Sequence, residues 1–205
     1  GPTLNPNDTW TDTLPPQIVI PNGLFTVCAY TSLATDQDHT NDTICKVCKG
    51  IPVLPLNYCE SFDGVNNDWT PVLIAGSSQW ELGTPNFGAT NSAHSAPNSW
   101  DVNLNTGYTA GSNCELLSPF FDLTLAVNAQ VSFWQNRNTQ VNNDGTRLDI
   151  FDGNQWTTLG TVNDPLAVNW YTVANMIVSG EPGWEGNSNG WIRSTYQLIN
   201  YNNSG

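Results

Sequence analysis

The apolar residues of this chain fall in short runs with a two-residue period, and no segment sustains the capped 3.6-residue apolar period of a helix. Leu24-Phe25-Thr26-Val27-Cys28-Ala29-Tyr30 is the clearest run, with Phe25, Val27 and Ala29 on one face. A polar loop, Thr35 to Asp42, leads to a second strand pattern, Thr43-Ile44-Cys45-Lys46-Val47. From Tyr58 onward strand signals recur at Gln79–Leu82, Glu115–Phe121, Ala129–Gln135, Leu148–Phe151, Trp156–Val162 and Tyr171–Val178. Asp152-Gly153-Asn154 joins two of them as a hairpin turn. An all-β, antiparallel sandwich is the expected class. Composition agrees: only 11% of residues are charged, so the polar surface is built from Asn, Thr, Ser and Gln, residues that favour turns and strands.

Charge narrows the partners. Five Lys and Arg stand against 18 Asp and Glu, a formal net charge of -13. Such a surface repels phosphate backbones and anionic lipid, which argues against nucleic acid and against membrane-surface binding. No apolar run approaches the ~20 residues that cross a bilayer, so membrane insertion is not expected. An acidic, oxygen-rich surface suits divalent cations, calcium above all. The five cysteines, Cys28, Cys45, Cys48, Cys59 and Cys114, read as disulfide candidates in a lysine-poor, turn-rich chain. A Cys28–Cys45 bridge suits the first hairpin, with Cys48 and Cys59 as further candidates. Cys45-x-x-Cys48 lacks the second ligand pair that a zinc site needs.

Order and spacing of the aromatic residues point further. Cys59-Glu60-Ser61-Phe62-Asp63 precedes Trp69, Ser78-Gln79-Trp80-Glu81-Leu82-Gly83, Glu115-Leu116-Leu117-Ser118-Pro119-Phe120-Phe121-Asp122-Leu123 and Val131-Ser132-Phe133-Trp134. This succession resembles the MAM domain, most closely the MAM-like, lectin-type jelly-roll sandwiches of secreted proteins from Bacteroidota-type bacteria. Gly183-Trp184-Glu185-Gly186 through Gly190-Trp191 resembles a recurring G-W-x-G-x-x-x-G-W element of those domains. Upstream, the Gly23–Val47 pattern resembles the closing hairpin of an immunoglobulin-like (CARDB-like) bacterial surface repeat. The resulting division is residues 1–50 as the C-terminal part of an Ig-like domain, 51–57 as a Pro-rich linker, and 58–205 as the MAM-like jelly roll. The resemblance implies further strands at both ends, and so adjoining segments of a longer chain or a partner chain that completes the sheet.

Three sets of candidate residues follow. Asp36, Asp38 and Asp42 alternate as in calcium loops but lack the glycine and distal Glu of an EF-hand, and a solvated turn explains them equally well. The resemblance implies a cation at Asp63, with Asp101 as a second ligand. Trp100, Tyr108, Trp184 and Trp191 lie in Gly/Asn/Ser-rich loops, and exposed rings there suit the C–H faces of pyranoses; core packing is the competing role. Trp69, Trp80, Trp134, Trp156 and Trp170 lie in or beside strand patterns and are expected in the core.

Catalysis is not expected. No strand carries the paired acids of a glycosidase, Asp149 and Asp152 have the wrong parity to share a face, and no nucleophile elbow, zinc helix or phosphate loop occurs. The resemblance implies a non-catalytic adhesion or recognition module of a large cell-surface protein, binding glycan or protein on another surface, with type IX export and gliding motility as its setting. An ancillary domain of a secreted peptidase or glycoside hydrolase, or a subunit assembling by strand exchange, is the alternative.

Overall fold

The computed structural model describes residues 23–30, 37–38, 40, 42–64 and 67–201, and within them the regular structure is strands and two short 3-10 turns. The strands are β1 (Gly23–Tyr30), β2 (Thr43–Gly50), β3 (Val53–Leu54), β4 (Thr70–Ala75), β5 (Trp80–Gly83), β6 (Ser99–Val102) and β7 (Asn113–Leu117). They continue with β8 (Phe120–Phe121), β9 (Gln130–Gln135), β10 (Asp149–Phe151), β11 (Trp156–Thr158), β12 (Ala167–Val168) and β13 (Ile192–Gln197). Among the described residues no helix is long and apolar enough to cross a membrane. The chain divides into two compact units, Gly1–Pro52 and Val53–Gly205.

In the first unit β1 and β2 form an antiparallel pair in which Cys28 lies directly opposite Cys45, and the two are joined by a disulfide. The bond suggests an oxidising, extracytoplasmic environment. Cys48, Cys59 and Cys114 carry free thiols, so the further bridges considered for Cys48 and Cys59 are not formed. The strand expected over Ile18-Val19-Ile20 lies outside the described residues.

The second unit contains one three-stranded sheet, β12-β13-β9, and the pairs β4-β7, β5-β6, β10-β11 and β3-β8, of which only β3-β8 is parallel. Local chemistry accounts for departures from the expected strands. The single strand expected over Glu115–Phe121 is two, because Pro119 lacks the N–H that would continue the ladder; β7 pairs with β4 and β8 with β3. The run from Trp156 ends at Thr158, ahead of Gly160, whose φ of 78° is left-handed. Tyr171–Val178 is not a strand. Only Val173 bridges, to Gly183, and the Met176 carbonyl accepts from Ser179 N at 3.2 Å and Gly180 N at 2.7 Å, which turns the chain back.

The core of this unit is aromatic. Leu159, Trp170, Tyr171, Trp184 and Tyr196 are buried together, flanked by Val131, Phe133, Leu148 and Ile150 from the sheets. Ring centroids lie 5.1 Å apart for Trp170–Trp184 and for Trp170–Tyr196, and 4.5 Å for Tyr171–Trp184, in tilted and edge-to-face arrangements that suit the ring quadrupoles. Two polar tips are paired, Trp170 Nε1 donating to the Leu159 carbonyl at 3.0 Å and the Tyr171 hydroxyl to the Leu148 carbonyl at 3.0 Å, while the Trp184 indole N–H is buried without a partner. A fully buried Leu such as Leu159 contributes about 1.5–3 kcal/mol relative to exposure.

Candidate recognition surface

Strand alternation sorts the aromatics of β9. Val131 and Phe133 face the core, so Ser132 and Trp134 point outward. In the register of the neighbouring strand, Arg193 lies opposite Trp134 and Thr195 opposite Ser132. Trp191 has the same parity as Arg193, just before β13 begins. An outward face therefore gathers Ser132, Trp134, Trp191 and Arg193, and Arg193 Nε donates to Ser132 Oγ at 2.9 Å.

A loop more than thirty residues upstream is laid onto this face. Asn136 Nδ2 donates to the Ala89 carbonyl at 3.2 Å, and Trp191 Nε1 donates to the Ser92 carbonyl at 3.1 Å. Just beyond these ties His94 stacks on Trp134, with ring centroids 3.9 Å apart and planes 19° apart, and meets Trp191 edge-on at 5.8 Å. Trp134 remains 46% exposed despite that stacking. The same loop is held at its far end, where Ser95 Oγ donates to the Ser61 carbonyl and Asn98 Nδ2 to the Asp63 carbonyl, each at 3.4 Å. The result is a three-ring shelf with a guanidinium and hydroxyls beside it. Flat aromatic faces bordered by donors suit ligand binding.

The Gly183–Trp191 element divides between the two layers. Gly183 sits where an added Cβ would lie 2.7 Å from the Thr146 carbonyl and would collide with Met176, so only hydrogen fits there. Its neighbour Trp184 is 3% exposed and belongs to the core, which leaves it no face for a ligand. Large rings favour burial wherever a strand register admits them, and bridging of Thr146 to Trp184 supplies that register. Trp191, seven residues on, reaches the shelf.

The other expected ligand residues stand apart from it. Trp100 is not in a loop: it lies on β6, half-buried, with its indole N–H enclosed and unpaired. Tyr108 is exposed and donates its hydroxyl to Asp144 Oδ2 at 2.9 Å; burial of the ring, then the bond to Asp144, raises its pKa. Trp134 and Trp156, expected in the core, are instead 46% and 53% exposed, because their strand positions alternate with the inward-facing ones; His94 and Arg193 carried no expectation. The signal available was Phe133-Trp134, since two adjacent strand aromatics cannot both face one core.

The acidic candidates are placed as follows. Asp101 lies directly across from Glu81 in the β5-β6 register. Its Oδ1 accepts from Val102 N at 2.8 Å, and burial, only partly offset by hydrogen bonds from Thr90 and Val102, raises its pKa. Asp63 is exposed, and its carbonyl is engaged by Asn98. Asp38 accepts from the backbone and hydroxyl of Thr40, bonds that lower its pKa and close a local turn. Asp42 is half-buried just before β2, and Asp36 lies outside the described residues. Among the described residues no three His, Cys, Asp or Glu side chains converge as a metal-binding set. Compared with protein-family models, with curated proteins and with solved structures, the chain matches none.

Proposed function

We propose that this chain is a non-catalytic recognition module of a secreted or cell-surface protein, and that its second unit binds glycan on the His94–Trp134–Trp191 shelf. The observation that carries this is Trp134, an indole 46% exposed on which His94 stacks, with His94 in turn met edge-on by Trp191. Rigid, preordered rings lose little entropy when a ligand docks, and the hydroxyls of a sugar would meet Arg193 and Ser132 beside them. MAM-like jelly-roll architecture for residues 58–205, after an Ig-like remnant, is part of the same proposal and rests on the motif order. A glycan array probed with the wild-type chain and with Trp134→Ala is the test. Binding that disappears in the variant supports it, and binding unchanged by the substitution removes the shelf as the site.

Calcium held through Asp63 and Asp101 belongs to the proposal as well. Its support is Asp101, a half-buried carboxylate whose pKa is raised chiefly by burial and which lies across from Glu81, a cost that a cation would offset. Thermal melts in calcium and in chelator decide: a higher Tm with calcium supports it, and superimposable melts remove it.

A completing partner has its own support. Among the described residues β1 pairs with β2 alone, Leu24 and Tyr30 are each 77% exposed and Ile44 is 75% exposed, and a two-stranded pair by itself is marginal in water. Adjoining segments of a longer chain, or a second chain adding a strand, would cover these residues. Light scattering on the purified chain distinguishes the second-chain form, which requires a mass above one copy.

A further inference from the structure

A second aromatic-polar surface is built on the outer face of the β10-β11 hairpin, and it shares no residue with the shelf. Leu148 and Ile150 pack against the core, so the alternate positions Arg147, Asp149 and Phe151 face away from it. In the register Asp149 lies opposite Thr158 and Phe151 opposite Trp156, which puts Trp156 and Thr158 on that outer face too. Arg147, Asp149, Trp156, Thr157, Thr158 and Glu181 line a cleft of about 390 Å³, within the range of small-molecule sites.

Its chemistry is specific. Arg147 Nε bonds both oxygens of Asp149, at 2.9 and 3.0 Å, and Thr158 Oγ1 donates to Asp149 Oδ1 at 3.0 Å. That fixes a guanidinium and a carboxylate side by side, with their charges cancelling. Asp149 thus accepts from Arg147 Nε and Thr158 Oγ1 and keeps acceptor capacity, chiefly at Oδ2, while Arg147 keeps its Nη donors and Glu181 supplies a further carboxylate. Trp156 forms the apolar wall; it is 53% exposed and flanked on the same face by Phe151, at 5.3 Å between ring centroids, which in turn meets Phe120 at 5.9 Å. Glu181 stands on a fixed turn, its carbonyl accepting from Met176 N at 2.8 Å.

We infer that this cleft is a separate carbohydrate-binding site for an uncharged pyranose, which stacks on Trp156 and places adjacent hydroxyls on Arg147 and Glu181. An anionic ring is disfavoured because the Arg147–Asp149 pair cancels and leaves the charge of Glu181, while a single exposed indole beside these hydrogen-bonding groups suits a ring that carries no charge. An open cleft with one exposed indole matches a ligand that is apolar on one face and hydroxylated at its edge.

The test is an NMR titration of the ¹⁵N-labelled full chain, following the Trp156 indole and Arg147 Nε signals. The probes are methyl β-D-glucopyranoside, methyl β-D-galactopyranoside and methyl α-D-mannopyranoside, with D-glucuronate and methylammonium as charged counterparts. Saturable shifts of both signals with a neutral pyranoside are expected, weakened about tenfold or more in Trp156→Ala and largely retained in Trp156→Phe. Trp156 projects from the surface, so the alanine variant keeps the fold, and unchanged backbone spectra away from the hairpin verify that. Shifts confined to Trp134 and Trp191 would overturn this site while leaving the shelf intact. Shifts at Trp156 with glucuronate or methylammonium alone would overturn the neutral-ligand assignment, and no shift at Trp156 with any probe would overturn the site altogether.

Discussion

Two aromatic groups lie on opposite faces of the same sheet, and one residue of strand register separates them. Phe133 points inward to Trp170 and Trp184, at 6.0 and 5.8 Å between centroids; Trp134, its neighbour, points outward to His94. The inner group is enclosed on all sides, with Trp170, Tyr171, Trp184 and Tyr196 each under 10% exposed, whereas the outer group leaves Trp134 46% exposed. Identical side-chain chemistry thus serves cohesion on one face and is free for recognition on the other. Burial decides which, and register decides burial.

The largest effect is expected from removing an inner ring. Trp184→Ala deletes contacts to Phe133, Trp170 and Tyr171 and opens a cavity at the centre of the unit, at a cost of about 3–5 kcal/mol. Chemical denaturation of the two proteins measures it. A loss below about 1 kcal/mol would mean that Trp184 is not a core residue.

Next comes the polar tie between the inner layer and its neighbours. Ser194 is fully buried on β13; its hydroxyl donates to the Asn169 carbonyl at 2.7 Å and accepts from Gln135 Nε2 at 2.6 Å. Ser194→Ala leaves both partners without it and is expected to cost about 1–3 kcal/mol. Denaturation midpoints should fall between those of wild type and Trp184→Ala. A midpoint equal to wild type would show that water replaces the hydroxyl and that the inner layer is less sealed than its exposures indicate.

How far this division was legible in sequence depends on the strand. Period two in Leu24–Tyr30 and the placement of Cys28 and Cys45 correspond to the β1-β2 register and its disulfide. The expectation of Trp134 in the core failed because alternation admits only one of Phe133 and Trp134 to it and fixes relative, not absolute, facing. Pro71 concealed β4, which accepts a proline because its described pairing is to β7 alone. Trp100 looked like a loop residue among Asn, Ser and Pro, yet pairing with Leu82 makes it a strand residue. His94 was beyond reach: its partner Trp134 is forty residues away, and only the folded loop brings them together.

Alkali should distinguish the two layers more finely. Burial, reinforced by its hydrogen bond to Asp164, pushes the Tyr196 hydroxyl up to about 12 from an ordinary 10.0, and burial pushes Tyr171 higher still. An unfolded tyrosine releases its proton near 10.0 while the folded one keeps it, so above that pH the folded state binds more protons. Stability is therefore complete below pH 10 and declines as pH climbs toward 12. Tyr196→Phe removes one titrating group and should move the alkaline unfolding transition to higher pH, followed by circular dichroism alongside tyrosinate absorbance. An unfolding transition at the same pH in wild type and in Tyr196→Phe would place Tyr196 outside the enclosed layer.

The smallest stability effect is the one on which the comparison turns. Trp134→Ala removes a half-exposed indole whose described ring contact is the stacked His94, and the Trp191 anchor to Ser92 survives. Loss of that stacking, at a largely solvated position, should cost about 1 kcal/mol or less. For a unit of this size that is a Tm shift of about 2–4 °C, readable by calorimetry beside the much larger shift of Trp184→Ala. Binding should respond in the opposite order, with Trp134→Ala abolishing ligand capture in a chain that remains folded. A Tm drop as large as that of Trp184→Ala would make Trp134 a core residue in function, and the outer face would then be packing surface for something that covers it.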